Sequence, residues 1–341
     1  MNILFLSDYP AWLAVSKGTM PSHHLFGVHC LIKEFCDEGT SAIIKDEMGG
    51  GRIDFMLVNN AKDIAKAYFK SFHYDVVYDV LNVAWRFCSI LTILNKHHAF
   101  RPRLITIFHH PSFKNYMRFG KADVSVFFSD KLLSSAKLFV HDNRTMISNY
   151  WYPDQKWYDS NTNEVYTKVY DFMDNGKTYR DHETFISAIN NINRKGMIVC
   201  SEQQRAEYKK LTNNIDFFCQ PSPNDLHLLP VIRKSKIMVI PLSVKDDLIG
   251  PFGNTSYMDA IATGMPVVCS NNFALAQEIV DNNLGCTYVT GNVDSLVCAM
   301  QKTLENYDFY HRNMIEFSVK HNIDTYSKVI IPYILNNDYQ K

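Results

Sequence analysis

The chain has 341 residues, room for two domains of about 100–200 residues each. Its 35 Lys and Arg balance 35 Asp and Glu, which excludes a protein that grips nucleic acid with an overall basic surface. With 46% hydrophobic and 21% charged residues, a chain that stays disordered is excluded as well.

The N-terminus, Met1-Asn2-Ile3-Leu4-Phe5-Leu6-Ser7-Asp8, has no basic leader and reads as a buried first strand. No stretch reaches about 18 uninterrupted apolar residues; the best candidate, 80–94, contains Arg86. The eight cysteines are scattered without C-x-x-C pairs, so they read as thiols in a reducing compartment and place the protein in the cytoplasm. Short apolar runs then alternate with helical patterns, as expected of an α/β chain with parallel sheets. In the first half the runs predict strands at 2–6, 41–45, 76–79, 104–108, 124–128 and 138–140, with amphipathic helices at 24–38 and 61–72. Residues 150–164 are rich in Asn, Asp, Ser and aromatics, show no period, and read as a connection. A second alternation predicts strands at 169–173, 197–200, 215–219, 237–241, 266–269 and 286–289. The expected organisation is two doubly wound Rossmann-like domains facing across a cleft, with ligands at the carboxyl ends of the strands.

The most informative segment is 237–271. A strand ends at Pro241-Leu242, and Gly250-Pro251-Phe252-Gly253 leads through Asn254-Thr255-Ser256 into a helix that Gly264 stops. A glycine loop entering a helix offers free amides and the positive dipole end to a phosphate. Asp259, one turn inside, is placed to accept from ribose hydroxyls. On these residues alone, a helix capped by Asn254 or Thr255 with a solvated Asp259 reads slightly better.

The string Asp259-Ala260-Ile261-Ala262-Thr263-Gly264-Met265-Pro266-Val267-Val268 resembles the donor-binding region of GT-B glycosyltransferases of the retaining, GT4-like group. That resemblance implies that Asp259 binds the donor ribose and that Gly253, Asn254 and Thr255 hold the diphosphate and sugar. Many members carry another acid eight residues earlier, where this chain has Pro251; Asp246, Asp247 or backbone amides would then serve. A second stretch, Val169 to Asp181, looks like the first strand and turn of the family's donor domain. The resemblance implies that Gly176 shapes the turn and that Lys177 and Arg180 neutralise the diphosphate, in keeping with the charge a leaving diphosphate needs. Without the family, Arg180 and Asp181 read as a surface pair.

In the first half, the loop after the first strand holds Gly18, Ser22, His23 and His24 ahead of a predicted helix. Gly18 supplies flexibility and Ser22 reads as an N-cap beside an anion site. Adjacent histidines rarely point at one ion, so no metal is expected. His109 and His110 end the 104–108 strand; the family likeness implies that His109, and after it His110, contacts the transferred sugar. Residues 80–122 contain no acid but seven Lys and Arg with interleaved aromatics. Residues 96–121 therefore suit an anionic membrane surface, with a solvated basic face as the alternative. The tail, 307–333, reads as two helices with a break near 321–324.

The resemblance thus implies a domain 1–150 on the acceptor side, a connection 151–164, a donor-binding domain 165–320 and a crossover helix 321–341. The implied activity is retaining transfer of a hexose from a nucleotide diphosphate sugar, UDP before GDP. The implied acceptor is a glycan or lipid-linked glycan at the cytoplasmic membrane face. No cofactor or metal and no nucleic-acid partner are expected. An epimerase of the same architecture, or a non-catalytic subunit assisting a transferase, uses the same features. A dinucleotide oxidoreductase does not fit, because no G-x-G-x-x-G follows the first strand.

Overall fold

In the computed structural model the described residues are 1–81, 102–108, 122–138, 145–162, 165–219, 225–243 and 252–335. They fall into two compact units. The first holds the chain up to Trp151 and the terminal helix from Ile323; the second begins at Tyr152 and ends at Asn322.

The first unit is built on an eight-stranded sheet. Its strands are β1 (Asn2–Ser7), β2 (Ile32–Cys36), β3 (Ser41–Ile44), β4 (Arg52–Leu57), β5 (Val76–Asp79), β6 (Arg103–Phe108), β7 (Val124–Phe127) and β8 (Thr145–Ser148). Their spatial order is β2-β3-β4-β1-β5-β6-β7-β8, antiparallel at β2–β3–β4 and parallel from β4 onward. β1 is apolar along its length because it is covered on both faces, as central parallel strands are. The Ala61–Ser71 helix forms where its period places it, capped by Asn60, whose side chain accepts from the amides of Lys62 and Asp63.

Three expectations fail here. The predicted 24–38 helix is two 3-10 turns, Ser22–Leu25 and Val28–Leu31, followed by β2. Gly27 breaks it: its φ is +87°, and an added Cβ would lie 2.6 Å from Ile330 Cγ2 of the terminal helix. Leu138, predicted to open a strand at 138–140, instead closes the Asp130–Lys137 helix; 139 and 140 lie outside the described residues, and β8 stands at Thr145–Ser148. β2 and β4 had no counterpart among the predicted strands. Both lie towards the sheet's antiparallel edge, where half-exposed residues dilute the apolar run.

The second unit has a six-stranded sheet of β9 (Tyr170–Asp174), β10 (Gly196–Cys200), β11 (Ile215–Cys219), β12 (Ser235–Ile240), β13 (Val267–Ser270) and β14 (Gly285–Tyr288). All pairs are parallel and the order is β11-β10-β9-β12-β13-β14, so the strand order reverses between β9 and β12. Its core includes Phe172, Phe185, Ile198, Val239, Val268 and Met300. The run read as a connection contains the Gln155–Ser160 helix, too short to show a period. Its Trp157 and Tyr158 are buried against Leu229 and Ala262. The tail forms the Tyr307–Lys320 and Ile323–Leu335 helices, with the break where the sequence places it. No disulfide forms among the described cysteines.

Candidate functional site

The site lies at the carboxyl ends of β9 and β12, where an open α/β sheet leaves a crevice. β9 ends in Asp174, whose side chain is fully buried. Its Oδ1 accepts from the Gly176 amide at 2.9 Å and from Arg180 Nε at 3.0 Å. His182 Nε2 lies 3.1 Å from Oδ2. An added Cβ on Gly176 would sit 2.0 Å from Arg180 Nε, so glycine alone lets the guanidinium fold back over its own loop. The Arg180 side chain is 3% exposed, and Nη2 donates to Ser256 Oγ at 2.7 Å. Nη1 is buried and has no partner among the described residues. The surface Arg180–Asp181 pair is not formed: Asp181 caps the His182–Ile192 helix through the Thr184 amide. Lys177 is exposed on the same loop.

The facing element is the Asn254–Thr263 helix. Its N-cap is Gly253 at φ +90°, with no side-chain cap, instead of Asn254 or Thr255. A Cβ on Gly253 would lie 2.7 Å from Ile240 Cγ2 and 3.0 Å from Phe273, so the helix start is pressed onto β12. First-turn amides without a side-chain cap form an anion site at the positive end of the dipole. Asn254 is 3% exposed, and its Oδ1 has no partner among the described residues; Thr255 is exposed. Asp259 Oδ1 accepts from the Tyr158 hydroxyl at 2.6 Å, and Oδ2 from Asn175 Nδ2 at 2.6 Å.

The two segments singled out in the sequence are therefore joined directly. Arg180–Ser256 and Asn175–Asp259 bridge positions 76 and 84 residues apart. Five residues that organise the site, Asp174, Asn175, His182, Tyr158 and Ser256, had no sequence signal of their own. Tyr158 stands in the run read as a connection, and Asp174 reads as the unremarkable end of a strand.

In the first unit, Gly18 has φ +69° and open space around it. Ser22 does not cap a helix: Pro21 holds the cap position and Ser22 is the first residue of a 3-10 turn. His23 is 2% exposed, and burial, then His24 and His29, holds its pKa well below the usual imidazole value. It is a neutral core side chain set edge-on to Trp151, whose Nε1 donates to the His23 carbonyl at 2.8 Å. His109, His110, Asp246, Asp247 and Pro251 lie outside the described residues, as does 96–121 apart from 102–108. Among the described residues, His29, Cys30 and Asp324 bring ligand atoms within 4.8 Å of one another and are the group able to hold a metal ion.

Residues 182–320 match the family model of glycosyl transferases group 1. HepE of Anabaena, solved in complex with UDP-glucose, superposes with a TM-score of 0.68 at 13% identity, over 98% of this chain and 99% of that one. Residues 182–320 thus form a glycosyltransferase group 1 domain, and the chain as a whole has the GT-B fold. A sucrose-phosphate synthase of Thermosynechococcus elongatus matches this chain with a TM-score of 0.67 at 12% identity, covering 98% of each. A glycosyltransferase of Rickettsia africae ESF-5 gives 0.66 at 14% identity over 99% of each. No curated protein matches the sequence. Gly253, Asn254, Thr255 and Asp259 lie inside the family match, whereas Gly176, Lys177 and Arg180 stand just ahead of it.

Proposed function

We propose that this glycosyltransferase moves a hexose from a nucleotide diphosphate sugar, UDP-sugar before GDP-sugar, to a glycan or lipid-linked acceptor with retention at the anomeric carbon. The observation that carries the donor part is the uncapped start of the Asn254–Thr263 helix, linked through Ser256 to Arg180, whose buried Nη1 has no partner among the described residues. In this reading the Asn254 and Thr255 amides take diphosphate oxygens, with Lys177 and Arg180 Nη1 supplying positive charge. Asp259, aimed by Tyr158 and Asn175, is in this reading the acceptor for ribose hydroxyls. The HepE complexes with UDP and UDP-glucose support a uridine nucleotide.

Transfer then proceeds on one face of the sugar. The bond from the acceptor oxygen to the anomeric carbon forms as the bond from that carbon to the diphosphate oxygen breaks. The acceptor proton passes to the departing diphosphate, and positive charge around that group lowers the barrier. His109, with His110 beside it, is the proposed contact to the transferred sugar.

A thermal-shift panel of UDP, GDP and their sugars tests the donor. UDP at 100 times its Kd should stabilise the protein by about 2.7 kcal/mol. No shift with any nucleotide would reject the reading. Lys177→Ala should leave Tm unchanged, because the side chain is exposed, and weaken UDP about tenfold or more, the worth of one charge-assisted hydrogen bond. Unchanged UDP affinity in this variant would remove Lys177 from the site.

No helix among the described residues is long and apolar enough to cross a membrane. The acid-free run 80–122 supports peripheral binding to anionic lipid instead. Sedimentation with phosphatidylserine vesicles should exceed that with neutral vesicles and fall with salt; equal recovery on both would refute this part.

A further inference from the structure

Val28 and Leu31 are the first and last residues of the 3-10 turn after Gly27, and both are 0% exposed. The two residues between them, His29 and Cys30, are left half-buried at the rim of the core. The start of the Ile323–Leu335 helix repeats this arrangement: Ile323 and Tyr326 are buried, and Asp324 between them is exposed. Both segments belong to the first unit. A Cβ on Gly27 would meet Ile330 Cγ2 at 2.6 Å and the Tyr326 ring at 3.3 Å, so the turn is seated directly on this helix. Asn149 Nδ2, donating to the Tyr326 carbonyl at 3.0 Å, ties the same stretch of helix to the end of the sheet.

His29 Nε2 lies 3.2 Å from Cys30 Sγ, and with an Asp324 oxygen the three ligand atoms all lie within 4.8 Å of one another. Ligands that share a tetrahedral zinc ion stand roughly 3.3–3.6 Å apart, from bonds of about 2.3 Å to sulfur and about 2.0–2.2 Å to nitrogen and oxygen. The imidazole and thiol are already near that spacing. The Asp324 carboxylate reaches it by a shift of no more than about 1.5 Å, which an exposed side chain makes by turning about its own bonds. A thiolate and an imidazole beside one carboxylate suit zinc, and not the all-oxygen shells of magnesium or calcium.

We propose that His29, Cys30 and Asp324 bind a zinc ion, with a fourth position left to water. The ion clamps the 28–31 turn to the start of the terminal helix, and the Cys30 proton leaves to solvent as the thiolate binds. The expectation of no metal weighed the adjacent pair His23 and His24, of which His23 is turned into the core. The third ligand here comes from the far end of the chain and is brought in by folding. The inference is independent of the donor and of the acceptor.

The test titrates the reduced, chelator-treated full chain with Co2+, whose tetrahedral thiolate complexes absorb in the near ultraviolet and the visible. The wild type should develop a thiolate-to-cobalt band that saturates at one ion per chain and is bleached by Zn2+. Cys30→Ser should lose the band. His29→Gln and Asp324→Asn should keep it but bind cobalt about tenfold more weakly or worse. Asp324→Asn changes an exposed side chain, so without metal it should melt within about 2 °C of the wild type. Zinc at about 100 times its Kd should raise the wild-type Tm by about 5 °C and leave that of Cys30→Ser unchanged. A wild type without the band would overturn the proposal and leave the short His29–Cys30 contact as a thiol hydrogen bond. A full band in Cys30→Ser, or wild-type cobalt affinity in His29→Gln or Asp324→Asn, would overturn it as well.

Discussion

Arg180→Ala is expected to destabilise the second unit by about 3–5 kcal/mol, the usual cost of stranding one partner of a buried ion pair. Asp174 is fully buried, and Arg180 is the cation hydrogen-bonded to it; without the guanidinium, the carboxylate retains the Gly176 amide and the His182 ring. The Ser256 hydroxyl loses its link across the site in the same step. For a unit of this size the melting temperature should fall by roughly 10 °C, read by calorimetry or urea titration. Adding Asp174→Asn should return much of the loss, because the stranded charge goes with it. A single variant melting within about 2 °C of the wild type would show that the pair does not hold the loop. Arg180 is thus tied into the fold through Asp174 and Ser256, whereas Lys177 is exposed on the same loop.

Gly253→Ala is expected to cost about 2–4 kcal/mol, from a left-handed backbone conformation together with overpacking. At φ +90° the new Cβ would meet Ile240 Cγ2 at 2.7 Å and the Phe273 ring at 3.0 Å. Relief requires the helix start to lift off β12, which carries the Asn254 and Thr255 amides away from the proposed diphosphate position. The UDP thermal shift should then vanish while far-ultraviolet circular dichroism keeps its helical content. Thr255→Ala is the control, since that side chain is exposed and its proposed contact is through the amide. A Gly253→Ala protein with wild-type Tm and wild-type UDP shift would remove the helix start from the site.

Most strands of both sheets were legible because parallel strands covered on both faces read as short apolar runs, β1 and β12 among them. Edge strand β2 was taken for helix, since half-exposed residues carry a mixed pattern and Gly27 acts through a contact with Ile330 far along the chain. Within the site, Gly253 and Asp259 stand in a string whose order has chemical meaning. Asp174 and Tyr158 carry no such mark: their partners, Arg180 and Asp259, reach them only after folding.

Local pattern was thus enough for the two α/β sheets and for the two segments able to receive an anion. Periodicity and glycine punctuation act over a few residues and are written in the chain itself. Which side chains face the ligand and which hold the frame was decided by tertiary packing. Arg180 and Lys177 are two cations three positions apart, yet one is buried on Asp174 and the other exposed. The zero net charge of the sequence could not distinguish them. Burial in a low-dielectric interior, a property of the assembled sheet, turns one charge into a structural tie and leaves its neighbour at the surface.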